Sequence, residues 1–577
     1  MTTEGQRQAR PHRGDRPALG SVLTVLALAY AAATLWALRA VWTTPTLLDD
    51  DARMHLLPFV AAREPAAFLD RFLVDYSEAY LPIGYRVLLS ALTSFAEPLD
   101  VARALGLSLL LALWVLTYVA GRRIAGAVGG ALALALAVHA EFLVLHTFGG
   151  LYRAFGFVLA MAWATTRAGA RAPTDRLVFS AWLVAAMALF YPPLAIVCGL
   201  ALLLEQRQDP RGPIYVRTGQ LAATAIPIVV AVGALWAVAD KPAALGPVVS
   251  LGEASSMPAF SREGGRLKLL PMPALWVEPL ESIGWGLHTD GDGPNLLPAL
   301  IKANERASDP FALIFALGLG GGALLWGRRR RWWLAWLVAA LLVYYAARVY
   351  AFRLGFPDRA LKFTLPILVP LLPALAWAAA EQLRGTRRRA LRGLALALAA
   401  GVFLVYPYGT AGPLALAMDV APESGLIQAV AEQTPPGALL TGWPDGPAEN
   451  LPLLARRELM VNHEHAHPLY HDYFAEVDER LADTLRLLFA TSIDDAREIR
   501  DRRGLTHLVL QPELYDREED LPRIFRPYDQ LAADLRATGL DDPRPFLFEA
   551  PSPEWVIYAD TQGSLIDLAG LGGDGTP

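Results

Sequence analysis

Residues 19–55 read LGSVLTVLALAYAAATLWALRAVWTTPTLLDDDARMH. The first part, 19–41, is an apolar run whose one charged residue is Arg39, near its end, and it has the length that crosses a hydrocarbon core. Directly after it stand Asp49, Asp50 and Asp51, then Arg53 and His55. Carboxylates so close to a membrane exit are costly beside hydrocarbon, so they must face water or a polar partner.

Working outward, the same apolar pattern repeats. Segments 99–121, 124–140, 151–168, 177–191, 194–204, 218–239, 310–327, 332–350, 361–380 and 391–408 are further candidate spans. The two short ones meet at Tyr191-Pro192-Pro193 and read as one broken helix or two short helices, because proline removes a backbone donor and restricts its predecessor. With 54% hydrophobic and 19% charged residues in 577, the chain reads as a polytopic α-helical membrane protein of about eleven spans with a C-terminal α/β domain outside the membrane. The boundaries expected are a tail at 1–18, a membrane domain at 19–410 with loops 42–98 and 240–308, and the α/β domain at 411–577.

Arginine sets the orientation. Arg7, Arg10, Arg13 and Arg16 precede the first span, and further clusters such as Arg122-Arg123 and Arg328–Arg331 fall in alternate loops. Short cytoplasmic loops carry the excess positive charge, which puts the N-terminus inside. Loops 42–98 and 240–308 and the C-terminal domain then lie outside, in one compartment. The first span is too long for a signal-peptide core and reads as a retained anchor. A single cysteine, Cys198, rules out an internal disulfide.

Loop 42–98 carries apolar residues at helical spacing, including Met54, Leu57, Val60, Phe68 and Phe72, and is expected to be folded along the membrane surface. Beyond residue 408 the pattern becomes helix 423–433, strands 438–443 and 458–462, helices 470–490 and 493–503, strand 506–511, helix 515–538 and strands 546–549 and 554–559. That alternation implies a parallel or mixed sheet covered by helices.

Three groups of residues can carry chemistry. Asp is favoured at helix starts, so one of the aspartates, Asp49, is expected as a cap; Asp51 and His55 share a helix face if a helix begins here. Arg103, Arg153, Arg348, Arg353, Arg359 and Lys362 stand at outer ends of spans, against the positive-inside tendency. Each alone reads as a snorkelling or paired side chain, but together they suit an anionic headgroup, because guanidinium matches phosphate geometry. His463, His465 and His467 share a face if the strand before them continues, and would then serve a metal, a substrate or hydrogen bonds. Walker A, Rossmann and nucleophile-elbow motifs are absent, and no nucleic-acid partner is expected.

In layout and in Asp50-Asp51-Ala52-Arg53-Met54-His55, the chain resembles the GT-C glycosyltransferases, polytopic enzymes that use polyprenyl-phosphate sugars on the outer face of a membrane. Three patches look like bacterial members of that group: Gly149-Gly150-Leu151-Tyr152-Arg153-Ala154-Phe155, Phe190-Tyr191-Pro192-Pro193 and Phe356-Pro357-Asp358-Arg359. The resemblance implies a multi-pass protein of the bacterial plasma membrane that moves a sugar from a polyprenyl-phosphate donor to an external hydroxyl of a glycan, lipid or protein, with inversion. It implies Asp50 and Asp51 as base or as holders of a divalent cation; with the acidic cluster in that role, His55, Arg153, Arg353 and Arg359 are the expected substrate-binding residues. A WWD-like acceptor motif is absent and Trp443-Pro444-Asp445 does not replace it, which argues against transfer to asparagine. The alternatives are a transporter or flippase of lipid-linked glycans, and a non-catalytic anchor for a binding domain.

Overall fold

The computed structural model describes residues 17–169, 173–207, 218–239, 243–267, 269, 332–350, 352–353, 356–381, 383, 385–393, 396, 417–516, 518–541 and 546–572. The expected spans 310–327 and most of 391–408, with most of loop 240–308, lie outside these residues.

Helix α1 (Pro17–Thr43) opens the helical region and ends just before Pro45, which cannot supply an amide to extend it. Short helices α2 (Ala52–His55), α3 (Leu57–Arg63), α4 (Phe72–Tyr80) and α5 (Ile83–Thr93) give loop 42–98 the folded character its spacing suggests. In α6 (Pro98–His139) the helix breaks at Ala125 and at Gly126, whose φ of 69° lies in the left-handed region that glycine adopts freely. A Cβ on Gly121 would run into the carbonyl of Gly129 and the methyl of Ala133, so the two halves fold back on each other. This hairpin is the pair of spans expected at 99–121 and 124–140.

Helices α7 (Glu141–Phe148) and α8 (Tyr152–Ala168) follow. Then α9 (Pro173–Phe190) and α10 (Pro192–Arg207) are two separate helices that pack together, which resolves the reading of the Tyr191-Pro192-Pro193 junction. After α11 (Thr218–Ala239), helix Trp332–Tyr350 matches its expected span. The segment Arg359–Glu381 is interrupted by a 3-10 turn at Val369–Leu371, where Pro366, Pro370 and Pro373 withhold backbone donors. Among the described residues, four helices are long and apolar enough to cross a membrane: Leu19–Thr43, Pro98–His139, Trp332–Tyr350 and Arg359–Glu381. Helices α1, α8 and Leu372–Glu381 all pack on α6.

Two short strands join segments on either side of the helical region: β1 (Leu47–Leu48) pairs antiparallel with β2 (Met418–Asp419). The C-terminal region then forms a five-stranded sheet from β3 (Leu439–Gly442), β4 (Glu458–Leu459), β5 (His507–Leu510), β6 (Val556–Ala559) and β7 (Ser564–Asp567), in the order β4-β3-β5-β7-β6. Strands β4, β3 and β5 are parallel; β7 runs antiparallel to both β5 and β6. The sheet is therefore mixed, and helices Ser424–Gln433, His471–Leu488 and Ile493–Arg503 fall where their periodicity puts them.

Four details differ from the sequence reading. The helix expected over 515–538 begins only at Tyr528, because Pro522 and Pro527 interrupt the earlier part. Residues 546–549 form a turn, strand β7 was not anticipated, and β4 stops at Leu459. The last of these changes the histidine face.

Loop 42–98 is fastened to the C-terminal region. The Glu458 carboxylate accepts the amides of Asp70 (2.8 Å) and Arg71 (2.5 Å), Arg456 pairs with Glu64 and Glu97, and Met54 and Tyr76 join the apolar core beneath the sheet.

Candidate functional site

The acidic stretch sits where α1, α2, α7, α8 and the C-terminal region meet. Asp49 is buried; its Oδ1 accepts the amide of Asp51 at 3.0 Å, closing a turn just before α2. A Cβ on Gly149 would overlap the Asp49 carboxyl, so the Gly149-Gly150 pair makes room for it. The helix cap itself falls on Asp51, without a side-chain hydrogen bond, so Asp49 shapes the turn and does not cap α2.

Asp50 and Asp51 point to different partners. Asp51 is ion-paired with Arg153 at the start of α8, while Asp50, 64% exposed at its side chain, is ion-paired with Arg53. Around Asp51 the three motif patches converge. His55 is edge-on to Tyr152 (ring centroids 4.8 Å) and stacked with Tyr80 (5.9 Å). Arg359 donates to the Tyr152 hydroxyl at 3.1 Å and lies 4.4 Å over the Phe356 ring. Tyr191 packs 5.8 Å from Tyr152, and Arg153 lies over Phe363 at 5.5 Å. The result is an aromatic-walled recess holding two guanidinium groups and a carboxylate.

Arg353 is not brought into this group. It is exposed and lines a different cavity, of about 190 Å³, with Val248, Val249, Ser250, Leu251, Val349 and Tyr350. Arg103 is also drawn away: it donates to the carbonyls of Thr44, Pro45 and Leu47 and so braces the chain leading to the acidic stretch.

Three histidines come close to the recess without sharing a face, because the chain turns after β4. His465 bonds Asn462 through Nδ1 (2.7 Å) and Ser77 through Nε2 (2.7 Å), and His467 bonds Tyr76 (3.0 Å). His463 stands edge-on to Phe525. Two of the three thus bind loop 42–98 to the C-terminal region. Among the described residues no group of three or more His, Cys, Asp or Glu is arranged to hold a metal ion, and Asp50 and Asp51, each turned to an arginine, do not form a cation cage.

Glu449, which the sequence reading did not single out, and Glu464, which stands inside the histidine stretch between His463 and His465, complete the acidic surroundings. Both lie in the C-terminal region and face Arg53: Glu449 at 2.6 Å and Glu464 at 3.9 Å, with Arg266 3.7 Å from Glu464. No local signal marks Glu449, since its partner Arg53 lies far along the chain. Tyr152 and Tyr191 lie within motif patches and could have been chosen from those.

Burial and neighbouring charges set the protonation pattern. Burial pushes Asp49 up to about 7, with repulsion from Asp51 adding and Arg153 opposing. For Asp51, burial works upward, but Arg153 and then His55 outweigh it and hold the carboxyl well below the usual range. Burial raises Glu449 to about 8 against the pull of Arg53, and Glu464 to about 7 against Arg266. Burial also lowers His55 and His465 to about 3, keeping both neutral.

These shifts give a signed pH dependence. In the unfolded chain the carboxyls ionise near ~4 and the histidines near ~6.5. Asp49, Glu449 and Glu464 keep their protons in the folded protein up to about 7 or 8, so stability falls as pH rises through that window. The neutral histidines cost stability only as pH drops below their unfolded value. Purified protein is therefore expected to melt highest near pH 6.5 and lower at pH 8.5, with Tm falling about 2–4 °C for each kcal/mol lost. Scanning fluorimetry across that range checks this; a Tm that rises toward pH 8.5 would contradict the assigned shifts.

No protein-family model matches the chain, and no curated protein matches it. Among solved structures the chain is similar to ArnT from Cupriavidus metallidurans in the apo state, at 14% identity and a TM-score of 0.49, covering 97% of this chain and 99% of that one. It is also similar to the Archaeoglobus fulgidus oligosaccharyltransferase tethered with an acceptor peptide containing the NVT sequon, at 11% identity and a TM-score of 0.43, covering 87% of this chain and 70% of that one. A third is AglB from Archaeoglobus fulgidus in complex with an inhibitory peptide and a dolichol-phosphate, at 11% identity and a TM-score of 0.41, covering 86% and 70%. The chemistry rests on the chain's own residues.

Proposed function

We propose that the protein is a membrane glycosyltransferase that moves a sugar from a polyprenyl-phosphate donor to an acceptor hydroxyl on the outer face of the membrane. The observation that carries this reading is the recess in which Asp51, Arg153, Arg359 and Tyr152 meet. A base and cations with aromatic walls are the parts that such a displacement uses. About eleven spans, with the N-terminus inside and residues 411–577 outside as an α/β domain, would set that recess at the membrane surface where a lipid-linked sugar is presented.

In the reaction, the acceptor oxygen attacks the anomeric carbon as Asp51, or Asp50 beside it, takes the hydroxyl proton. The bond from that carbon to the phosphate oxygen breaks, and its electron pair stays on the departing phosphate. Arg359, with the Tyr152 hydroxyl beside it, stabilises the growing negative charge. Arg153 begins paired with Asp51; a phosphate that draws its guanidinium away leaves Asp51 a stronger base at the moment of transfer. One in-line displacement inverts the anomeric centre. His55, neutral and with Nδ1 unpaired among the described residues, supports a contact to substrate. Arg353, apart from the recess, is given no part in the displacement.

The test is incubation of purified protein with a panel of polyprenyl-phosphate sugars and external glycan or lipid acceptors, with and without chelator. Transfer of sugar is the expected result, and the chelator arm reports any divalent-cation requirement. Movement of intact donor across a vesicle membrane, with no transfer, would replace this reading by a transporter.

A further inference from the structure

The contact between Arg53 and the C-terminal region is built more heavily than a tether needs. The Arg53 side chain is only 9% exposed. Its Nε donates to the Asp50 carbonyl at 3.2 Å, its Nη2 pairs with the Asp50 carboxylate, and its Nη1 donates to Glu449 at 2.6 Å. Glu449 is 1% exposed on the 3-10 turn Pro447–Asn450, which follows β3. Its other oxygen accepts the Glu464 amide at 2.7 Å. One arginine thus grips both the main chain and the side chain of Asp50, and one buried carboxylate anchors that arginine to the sheet.

We infer that Glu449 is a positioning residue for the Asp50-Asp51 pair, acting from the C-terminal region through Arg53. The inference rests on the reading of that pair as the reactive carboxylates. The carbonyl that Arg53 holds belongs to the peptide joining Asp50 to Asp51, so fixing it sets the direction of both side chains. Above about pH 8, where Glu449 is ionised, removing its charge leaves Arg53 with Asp50 as its nearest partner and frees its far end from the sheet. The peptide then turns with the arginine, and Asp51 loses its register with Arg153.

The test compares Glu449→Gln with the wild-type full-length protein at pH 9, above the point at which Glu449 ionises. Glutamine keeps an acceptor oxygen for the Glu464 amide, so the turn after β3 is retained while the charge is lost. With the donor identified by the panel, the expected result is a fall in kcat of roughly 10- to 100-fold with donor KM little changed, the range seen when a supporting residue behind a reactive group is altered. Hydrogen–deuterium exchange supplies a readout that does not depend on activity. The amides of Asp51, Ala52 and His55, bonded to Asp49 and Asp51, are expected to exchange faster in Glu449→Gln while those of β3 and β5 keep their protection. Unchanged exchange over residues 49–56 overturns the inference whether or not a donor is found. A wild-type protein that transfers no sugar defeats the functional reading and leaves the exchange result to decide the positioning. A lowered Tm with unchanged kcat and exchange assigns Glu449 a purely structural part and overturns the inference too.

Discussion

Asp51→Asn is expected to insert, fold and lose sugar transfer by about 10²–10⁴-fold, the range a positioned carboxylate base supplies. Asparagine matches aspartate in shape and keeps an oxygen to accept from Arg153, so the recess retains its outline. What it lacks is the capacity to take a proton at neutral pH. Asp50→Asn removes the exposed member of the pair and the partner of Arg53. Rates measured on protein matched for yield and for elution as a single species would decide the matter. Full activity in both variants would sink the acid–base role of the pair.

Arg359→Ala is expected to lower kcat by roughly 10²–10³-fold, as loss of one preorganised donor to a developing oxyanion does. Arg359 has no ion-pair partner within salt-bridge distance among the described residues; its hydrogen-bond partner is the Tyr152 hydroxyl, and aromatic faces surround it. A cation held in that way keeps its charge for an incoming anion, unlike Arg153, which is already paired with Asp51. Because the phosphate charge grows as the sugar leaves, the loss should fall on kcat more than on KM. Arg359→Lys should recover only part of the rate, since ammonium keeps the charge but not the planar fork that stacks on Phe356. Equal kcat in Arg359→Ala and wild type would remove this residue from the reaction.

Local pattern made much of the architecture readable. The first span, the α6 hairpin, the junction at Tyr191 and helix Trp332–Tyr350 follow from apolar length and from where glycine and proline interrupt it. Helices Ser424–Gln433 and Ile493–Arg503 follow from amphipathic spacing. The site was legible where motif patches carried it: Asp51, His55, Arg153 and Arg359 meet, although separated by long stretches of chain. It was not legible where long-range partners decide. Glu449 and Arg53 are 396 residues apart, and no periodicity announces such a pair. Arg353 looked equivalent to Arg359 because both stand near span ends, yet one faces the recess and the other a separate cavity, a distinction made by the turn at Phe356-Pro357 and not by charge. The histidine face failed because a two-residue strand cannot impose alternation on the residues after it.

The ribbon of β1 and β2 also orders events in time. Leu47 and Leu48 emerge early in synthesis, but their partners, Asp419 and Met418, are made only after the last described membrane helix. The acidic stretch beside them, which Arg103 and Arg153 can already hold, therefore lacks this pairing until the chain has passed residue 419. A chain that stops short of that point has the carboxylates of residues 49–51 but neither the β2 partner of the segment before them nor the Glu449 anchor of Arg53, so these two contacts are the last to form.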